Sequence, residues 1–300
     1  MRGFFKKLWV IVTLPIRVVL YPFKLIYKWL RNRWLGMLHF FRDEPEDTPL
    51  TKTFEKATQS PGDFLKALLL HLAELRWHLI RIALVLVATS IISFAYTEEI
   101  LEFLAEPLGG LSELRAIDIT EPVGVTMRVA LLAGFFIAMP YLGLELLTFI
   151  APGIKRKTRV NLLFIIPLVT IFFGLGMAFA YVFMLPVAIP VLTGFSGITT
   201  IPRPDTYIRF VVSVMFWIGI AFQFPLVSYL LSAMGILKPD MLVKQWRISI
   251  VVLAIIAAAI TPTPDPINMM IVFIPLLALY YLGIGLSYLA RKRRLSKTNP

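Results

Sequence analysis

Two stretches of this sequence hold residue types at spacings that could do chemistry. The first is HLAELRWHL at 71–79. At 100° per residue His71, Glu74, His78 and Arg81 fall on one helical stripe, whereas Arg76 lies about 200° from Glu74, so Glu74 and Arg76 cannot neutralise each other within the helix. The local partner within reach of Glu74 is His78 at i+4, a weak and mostly neutral donor near pH 7. Glu74 is therefore a carboxylate with little compensation from its own helix, able to take an incoming guanidinium. The second stretch is GFSG at 194–197, the G-x-S-G pattern of a serine nucleophile. Such a serine needs a histidine base within reach. The histidines are His39, His71 and His78, all upstream of the first apolar span or at its approach, so the segment reads as a turn. There is no H-E-x-x-H and no glycine-rich phosphate loop. Zero cysteines exclude thiol catalysis, disulfides and Cys-ligated metal. The expectation is a binding protein that is not an enzyme and needs no cofactor or metal.

The elements that must position Glu74 follow from composition. The 300 residues are 58% hydrophobic and 16% charged, with a mean hydropathy of +0.79. Soluble domains hold about 45–50% apolar and ~25% charged residues. The surplus falls in runs long enough to cross a hydrocarbon layer of ~30 Å. These runs are Trp77 to Tyr96, Val123 to Ile150, Val160 to Leu185, Tyr207 to Met234, Ile248 to Ile260 and Ile267 to Ala290. The fold class is all-α, a polytopic membrane protein with six transmembrane helices. An even count puts both termini on one side. Lys155, Arg156, Lys157 and Arg159 follow span two, Lys238, Lys244 and Arg247 follow span four, and Arg291, Lys292, Arg293, Arg294 and Lys297 end the chain. The opposite loops carry only Arg115 and Arg203. Basic loops stay in the cytoplasm, so the chain is N-in and C-in. The net charge of +12 sits in these loops, where it orients the protein and grips anionic lipid, and no nucleic acid is needed to explain it. Glu98, Glu99, Glu102, Glu106, Glu113, Asp118 and Glu121 in the first outer loop read as a solvated face.

Span five has only 13 residues between Arg247 and Thr261, roughly 20 Å of helix. Its outer corner is TPTPDP, where Pro262, Pro264 and Pro266 stop the helix and force a tight turn beside Thr261 and Asp265. Spans five and six thus form a short hairpin that thins the membrane locally, or else the corner sits in a protein-lined cavity. Before residue 60 the pattern differs. Arg2, Lys6, Arg17, Lys24, Lys28 and Arg31 are spaced by 4, 11, 7, 4 and 3, a basic stripe through apolar residues that suits a helix lying in the interface. As a spanning helix it would bury Arg17 at a cost of roughly 2.5–3.5 kcal/mol. Three regions result: a basic amphipathic extension and polar linker at 1–59, a six-span domain at 60–294, and a cytoplasmic tail at 295–300. Within the domain Ser60, Pro61 and Asp63 mark a helix start.

HLAELR at 71–76 resembles the HLxELR signature of the TatC family, the signal-peptide receptors of the twin-arginine translocase. The likeness continues through Pro140, FIAPG at 149–153, FFGLGMAFAYVFMLP at 172–186, FQFPLV at 222–227 and AAAITPTPDP at 257–266. Together these cover about residues 60 to 294 in the family's order. The resemblance implies a concave six-helix bundle in the cytoplasmic membrane that recognises twin-arginine signal peptides of folded proteins. It implies oligomeric assembly with TatA- and TatB-type single-span subunits and transport driven by the proton-motive force. It maps signal-peptide binding onto Glu74, Arg76 and Phe149, and the outer-hairpin aspartate onto Asp265. The chain departs from the pattern at four places. The family's second receptor glutamate falls on Thr158, the span-four acid on Gln223, the span-six acid on Tyr281, and the second arginine of HLxELRxRL on His78. Gln223 keeps a hydrogen-bonding role inside the bilayer, against a cavity or partner helix. For Glu145 two readings stay open: it helps to bind the peptide, or it pairs with a neighbouring span. The alternative function, a secondary transporter for a small solute, would call for an inverted repeat, and spans one to three share no motif with spans four to six.

Overall fold

The computed structural model describes residues 61–150, 164–194, 202–261 and 266–295. All regular structure among them is helical. Helix α1 covers Pro61–Phe94, and the expected start at Ser60 lies outside the described residues. A short helix α2 (Thr97–Ala105) follows, then α3 (Glu121–Ile150), α4 (Ile165–Phe179) and α5 (Leu185–Thr193). The second half holds α6 (Pro204–Ala221), α7 (Phe224–Met234), the short α8 (Pro239–Lys244), α9 (Trp246–Ile260) and α10 (Pro266–Leu295). Five stretches are long and apolar enough to cross a membrane: Leu72–Phe94, Glu121–Ile150, Ile165–Thr193, Pro204–Met234 and Met269–Arg293. Helix α9 is the short sixth, and its 15 residues span roughly 22 Å.

Two spans are broken where proline chemistry demands it. Span three continues past Leu185, because a π-turn at Ala180–Met184 joins α4 to α5. Pro186 would clash with the carbonyl four residues earlier in a regular helix. That carbonyl belongs to Val182, inside the π-turn, where the ladder is already displaced. Span four bends at Phe222 and Gln223, four and three residues after Ile218 and Ile220, whose carbonyls accept their N–H groups. Pro225 cannot donate to Ala221. The Gln223 side chain compensates locally, its Nε2 donating to Val169 O of α4 at 3.1 Å and to Gly219 O at 3.4 Å. Backbone freed at membrane depth is tolerated when a side chain satisfies it in this way.

The helices pack through small residues, the usual device where lipid is as apolar as the helix surface. A Cβ on Gly134 would lie 2.7 Å from the Cα and N of Ser90, so α1 and α3 touch backbone to backbone. One on Gly176 would lie 2.8 Å from Gly219 Cα, which brings α4 against α6. Phe173, fully buried, fills the space beside this crossing among Phe135, Phe136 and Phe216. Ser228 of α7 donates to Gly283 O of α10, and Ser287 donates back to Ser228 O.

Polar clasps tie the helix ends. At one end Arg203 donates to Glu121 and Arg128 to Asp205, joining the starts of α3 and α6. Glu121 is therefore buried and ion-paired, a correction to its reading as part of a solvated face; the cause is that it begins α3 under the Arg203 guanidinium. The other six acids of that loop are exposed. Asp118 accepts the Thr120 N–H, which holds its carboxyl below the usual range. Tyr181 donates to Phe103 O and Tyr207 to Leu104 O, pinning α2 onto spans three and four. At the other end Asp240 of α8 accepts from Tyr288 at 2.9 Å and from Arg291 at 2.5 Å. The Tyr288 hydroxyl, then Arg291, hold the Asp240 carboxyl below its ordinary value.

Candidate functional site

The HLAELRWHL stretch lies within α1, and its stripe faces a matching one on α3. Tyr141, Glu145 and Phe149 follow one another at four-residue intervals and share one face of α3. The two stripes meet at Glu145, whose side chain is fully buried. His78 donates from Nδ1 to Glu145 Oε2 at 2.5 Å, and Tyr141 donates from its hydroxyl to Oε1 at 2.6 Å. Arg81 Nη1 stands 3.6 Å from Oε2. Phe149 meets the His78 ring edge-on, with centroids 5.6 Å apart. A buried carboxylate requires such partners, since an unpaired charge away from water costs several kcal/mol.

Glu74 is exposed and stands one turn before His78 on the same stripe, about 6 Å along the helix axis. His78 thus occupies the ground between Glu74 and Phe149. Arg76 is exposed on another side of α1, its guanidinium over the Trp77 ring at 5.4 Å. That arrangement follows the angular separation of Glu74 from Arg76. His78 does not serve as the local partner of Glu74; it reaches across to α3. Of the two readings of Glu145, the geometry shows the one in which it pairs with a neighbouring span. Gln223 lies in the bend of span four, bonded to the α4 backbone at Val169. Tyr281 is exposed on α10. Thr261 ends α9, its hydroxyl donating to Ala257 O at 2.6 Å, and it lines a small apolar cleft with Met184, Phe210 and Val272. Pro262, Pro264, Asp265, Thr158 and Ser196 lie outside the described residues, as does the N-terminal extension.

The sequence reading passed over Tyr141 and Arg81 as partners of Glu145. The four-residue spacing of Tyr141, Glu145 and Phe149 was the available signal, since it puts a carboxylate and two rings on one helical face. Among the described residues no group of three or more His, Cys, Asp or Glu side chains could hold a metal ion.

The arrangement locks α1 to α3, with Glu145 buried among His78, Tyr141 and Arg81 and the exposed Glu74 one turn before His78 on α1. A family profile described as "Sec-independent protein translocase protein (TatC)" matches residues 70–275. The Sec-independent protein translocase protein TatC of Deinococcus radiodurans is 34% identical over 231 residues, covering 74% of this chain and 85% of its own. The TatC of Aquifex aeolicus is 32% identical over 231 residues, covering 75% of this chain and 95% of its own. A crystal structure of the twin arginine translocase receptor TatC superposes with a TM-score of 0.62 at 31% identity, covering 73% of this chain and 99% of that one. The chain belongs to the TatC family of Sec-independent protein translocase proteins.

Proposed function

We propose that this protein receives twin-arginine signal peptides of folded cargo at the surface between Glu74 and Phe149. The observation that carries the reading is the exposed Glu74 carboxylate, one turn from an imidazole that contacts Phe149 and is anchored across the helix interface. A carboxylate takes a guanidinium through two parallel hydrogen bonds but an ammonium only as a point charge. Arg76, on another side of α1, would meet lipid headgroups or a different part of the peptide. Gln223 would contribute inside the bilayer, to a partner helix. TatA- and TatB-type single-span subunits complete the transport unit in this reading, with the proton-motive force as energy source and no catalytic step by this chain. The N-terminal basic stripe adds a grip on anionic lipid.

The reading is tested by immobilising the purified full-length protein in nanodiscs and offering two signal peptides that differ only in an arginine or lysine pair. Retention of the arginine peptide at least tenfold above the lysine peptide is the expected result, tenfold being ~1.4 kcal/mol. Equal retention of the two would remove the receptor reading.

The orientation proposed for this membrane protein is that of the positive-inside pattern, with both termini in the cytoplasm. Trp77 and Trp246 support it, each exposed beside an arginine, Arg76 or Arg247, where spans one and five leave the basic side. Reporter fusions after Thr120 and Thr199 should report the outside, and fusions after Lys157 and Lys238 the cytoplasm. An outside signal after Lys157 would reverse the assignment.

A further inference from the structure

Two arginines sit inside stretches that cross the membrane, and both turn to one acid. Arg128 lies on α3 seven residues after Glu121, and Arg209 lies on α6 five residues after Pro204, roughly 10 Å and 7 Å from the helix starts. Asp205 accepts from Arg128 through one carboxylate oxygen and from Arg209 Nη2 at 2.6 Å through the other. Among the described residues no other acid meets either guanidinium, since Glu121 is taken by Arg203. Two cations therefore share one anion, and the cluster keeps a charge of +1. The Arg209 side chain is 61% exposed and that of Arg128 32%, so both reach the surface. The bond to Asp205, one turn back, draws Arg209 towards the start of α6 and hence to the depth of the lipid headgroups. Each guanidinium has five N–H donors, and pairing with Asp205 does not exhaust them.

We infer that Arg128 and Arg209 together bind the phosphate of an anionic membrane lipid where α3 and α6 begin. In the orientation proposed above this is the outer leaflet, opposite the basic loops. A phosphodiester carries one negative charge, which matches the surplus of the cluster, and a guanidinium takes phosphate oxygens through paired charge-assisted bonds. The surface running from the arginines towards the membrane centre suits acyl chains. On α6 Arg209, Ser213 and Trp217 follow at four-residue intervals, and all three are exposed. On α3 Leu131 is exposed one turn after Arg128, with Phe135 one turn further. The two faces adjoin, because the ring centroids of Phe135 and Phe216 lie 5.0 Å apart and those of Phe216 and Trp217 5.4 Å. A zwitterionic headgroup brings its own cation to the arginines, so a lipid whose only headgroup charge is its phosphate fits better. Arg128 stands 17 residues before Glu145, roughly 25 Å along α3, so this site is separate from the surface proposed for signal peptides.

The test places the full-length protein in nanodiscs that hold a trace of phosphatidylglycerol with a photoreactive acyl chain, and maps the crosslinked peptides by mass spectrometry. Label is expected on α3 and α6 around Leu131, Ser213 and Trp217, and a phosphatidylcholine probe with the same chain should leave less of it there. Arg128→Gln combined with Arg209→Gln should cut this label about fivefold or more, the scale of losing charged hydrogen bonds. Label at the basic loops of the other side should stay at the parental level, which reports an intact fold. Asp205→Asn covers the case in which the double variant does not fold. It releases both guanidinium groups to the phosphate, so the label should rise. Excess inorganic phosphate, compared with chloride at the same ionic strength, should leave the label in place, because a free ion lacks the acyl contacts. The inference is overturned if the double variant keeps the parental label, if the two lipid probes label equally, or if Asp205→Asn loses the label. Removal of the label by inorganic phosphate would also overturn it, making the cluster a site for a free anion.

Discussion

Replacing Glu74 by glutamine is expected to weaken binding of an arginine-pair peptide about tenfold or more, and to leave binding of a lysine-pair peptide nearly unchanged. The substitution keeps the shape and the exposure of the side chain and removes only its charge. A hydrogen bond to a charged group contributes roughly 1.5–3 kcal/mol, and ~1.4 kcal/mol is a factor of ten. The forked geometry of guanidinium against carboxylate loses most, because both of its bonds are charge-assisted, whereas an ammonium loses a single attraction that water already screens. Thr158→Glu is the companion experiment. The family pattern places a second acid at that position, and this chain has a neutral hydroxyl beside Lys155, Arg156 and Lys157. Restoring the acid should tighten binding of the arginine peptide. If Glu74→Gln binds both peptides as the parent does, Glu74 is not the receptor carboxylate. If Glu74→Gln weakens binding and Thr158→Glu changes nothing, one acid carries recognition here and the segment after α3 has another task.

The helices were legible in the sequence because apolar length is a coarse signal that tertiary contacts do not alter. Among the described residues, all six expected spans fall on apolar helices. The end of span three was not legible. It was expected at Leu185, yet a π-turn five residues long absorbs the clash at Pro186 and lets the helix run to Thr193. Glu121 was misplaced for a related reason. Its neighbours in the loop are acids in water, and only the fold brings Arg203, 82 residues away, over its carboxylate. The site divides the same way. The exposure of Glu74 and its separation from Arg76 follow from helical angles, which are local. The pairing of Glu145 with His78 spans 67 residues and depends on the register of α1 against α3, which hydrophobic periodicity does not set. That register is set by the small residues at the crossing.

Gly134→Ala tests that register, because two effects of opposite sign compete at one atom. Alanine favours a helix over glycine by roughly 0.8–1 kcal/mol, so propensity alone would make the variant more stable. The added Cβ would lie 2.7 Å from the Cα and N of Ser90, closer than carbon atoms approach, and these are backbone atoms that cannot rotate away. Helix α1 must then move off α3, and overpacking of this kind costs about 1–3 kcal/mol. The net expectation is a lower midpoint of thermal unfolding in detergent, followed by near-ultraviolet circular dichroism. Gly285→Ala on α10 is the control. A Cβ there meets nothing within 4 Å, so only the propensity gain remains and the midpoint should hold or rise. The same displacement should reach the site. Gly134 stands 11 residues, roughly 16 Å along the helix, from Glu145, and rigid helices carry a shift at the crossing to the level where His78 meets Glu145. Arginine-peptide binding should therefore fall in Gly134→Ala although no residue at the site has changed, and remain at the parental level in Gly285→Ala. A Gly134→Ala protein as stable and as tight-binding as the parent would show that the α1–α3 contact at Ser90 is looser than the structure places it, and that another contact sets the spacing of Glu74 and Phe149.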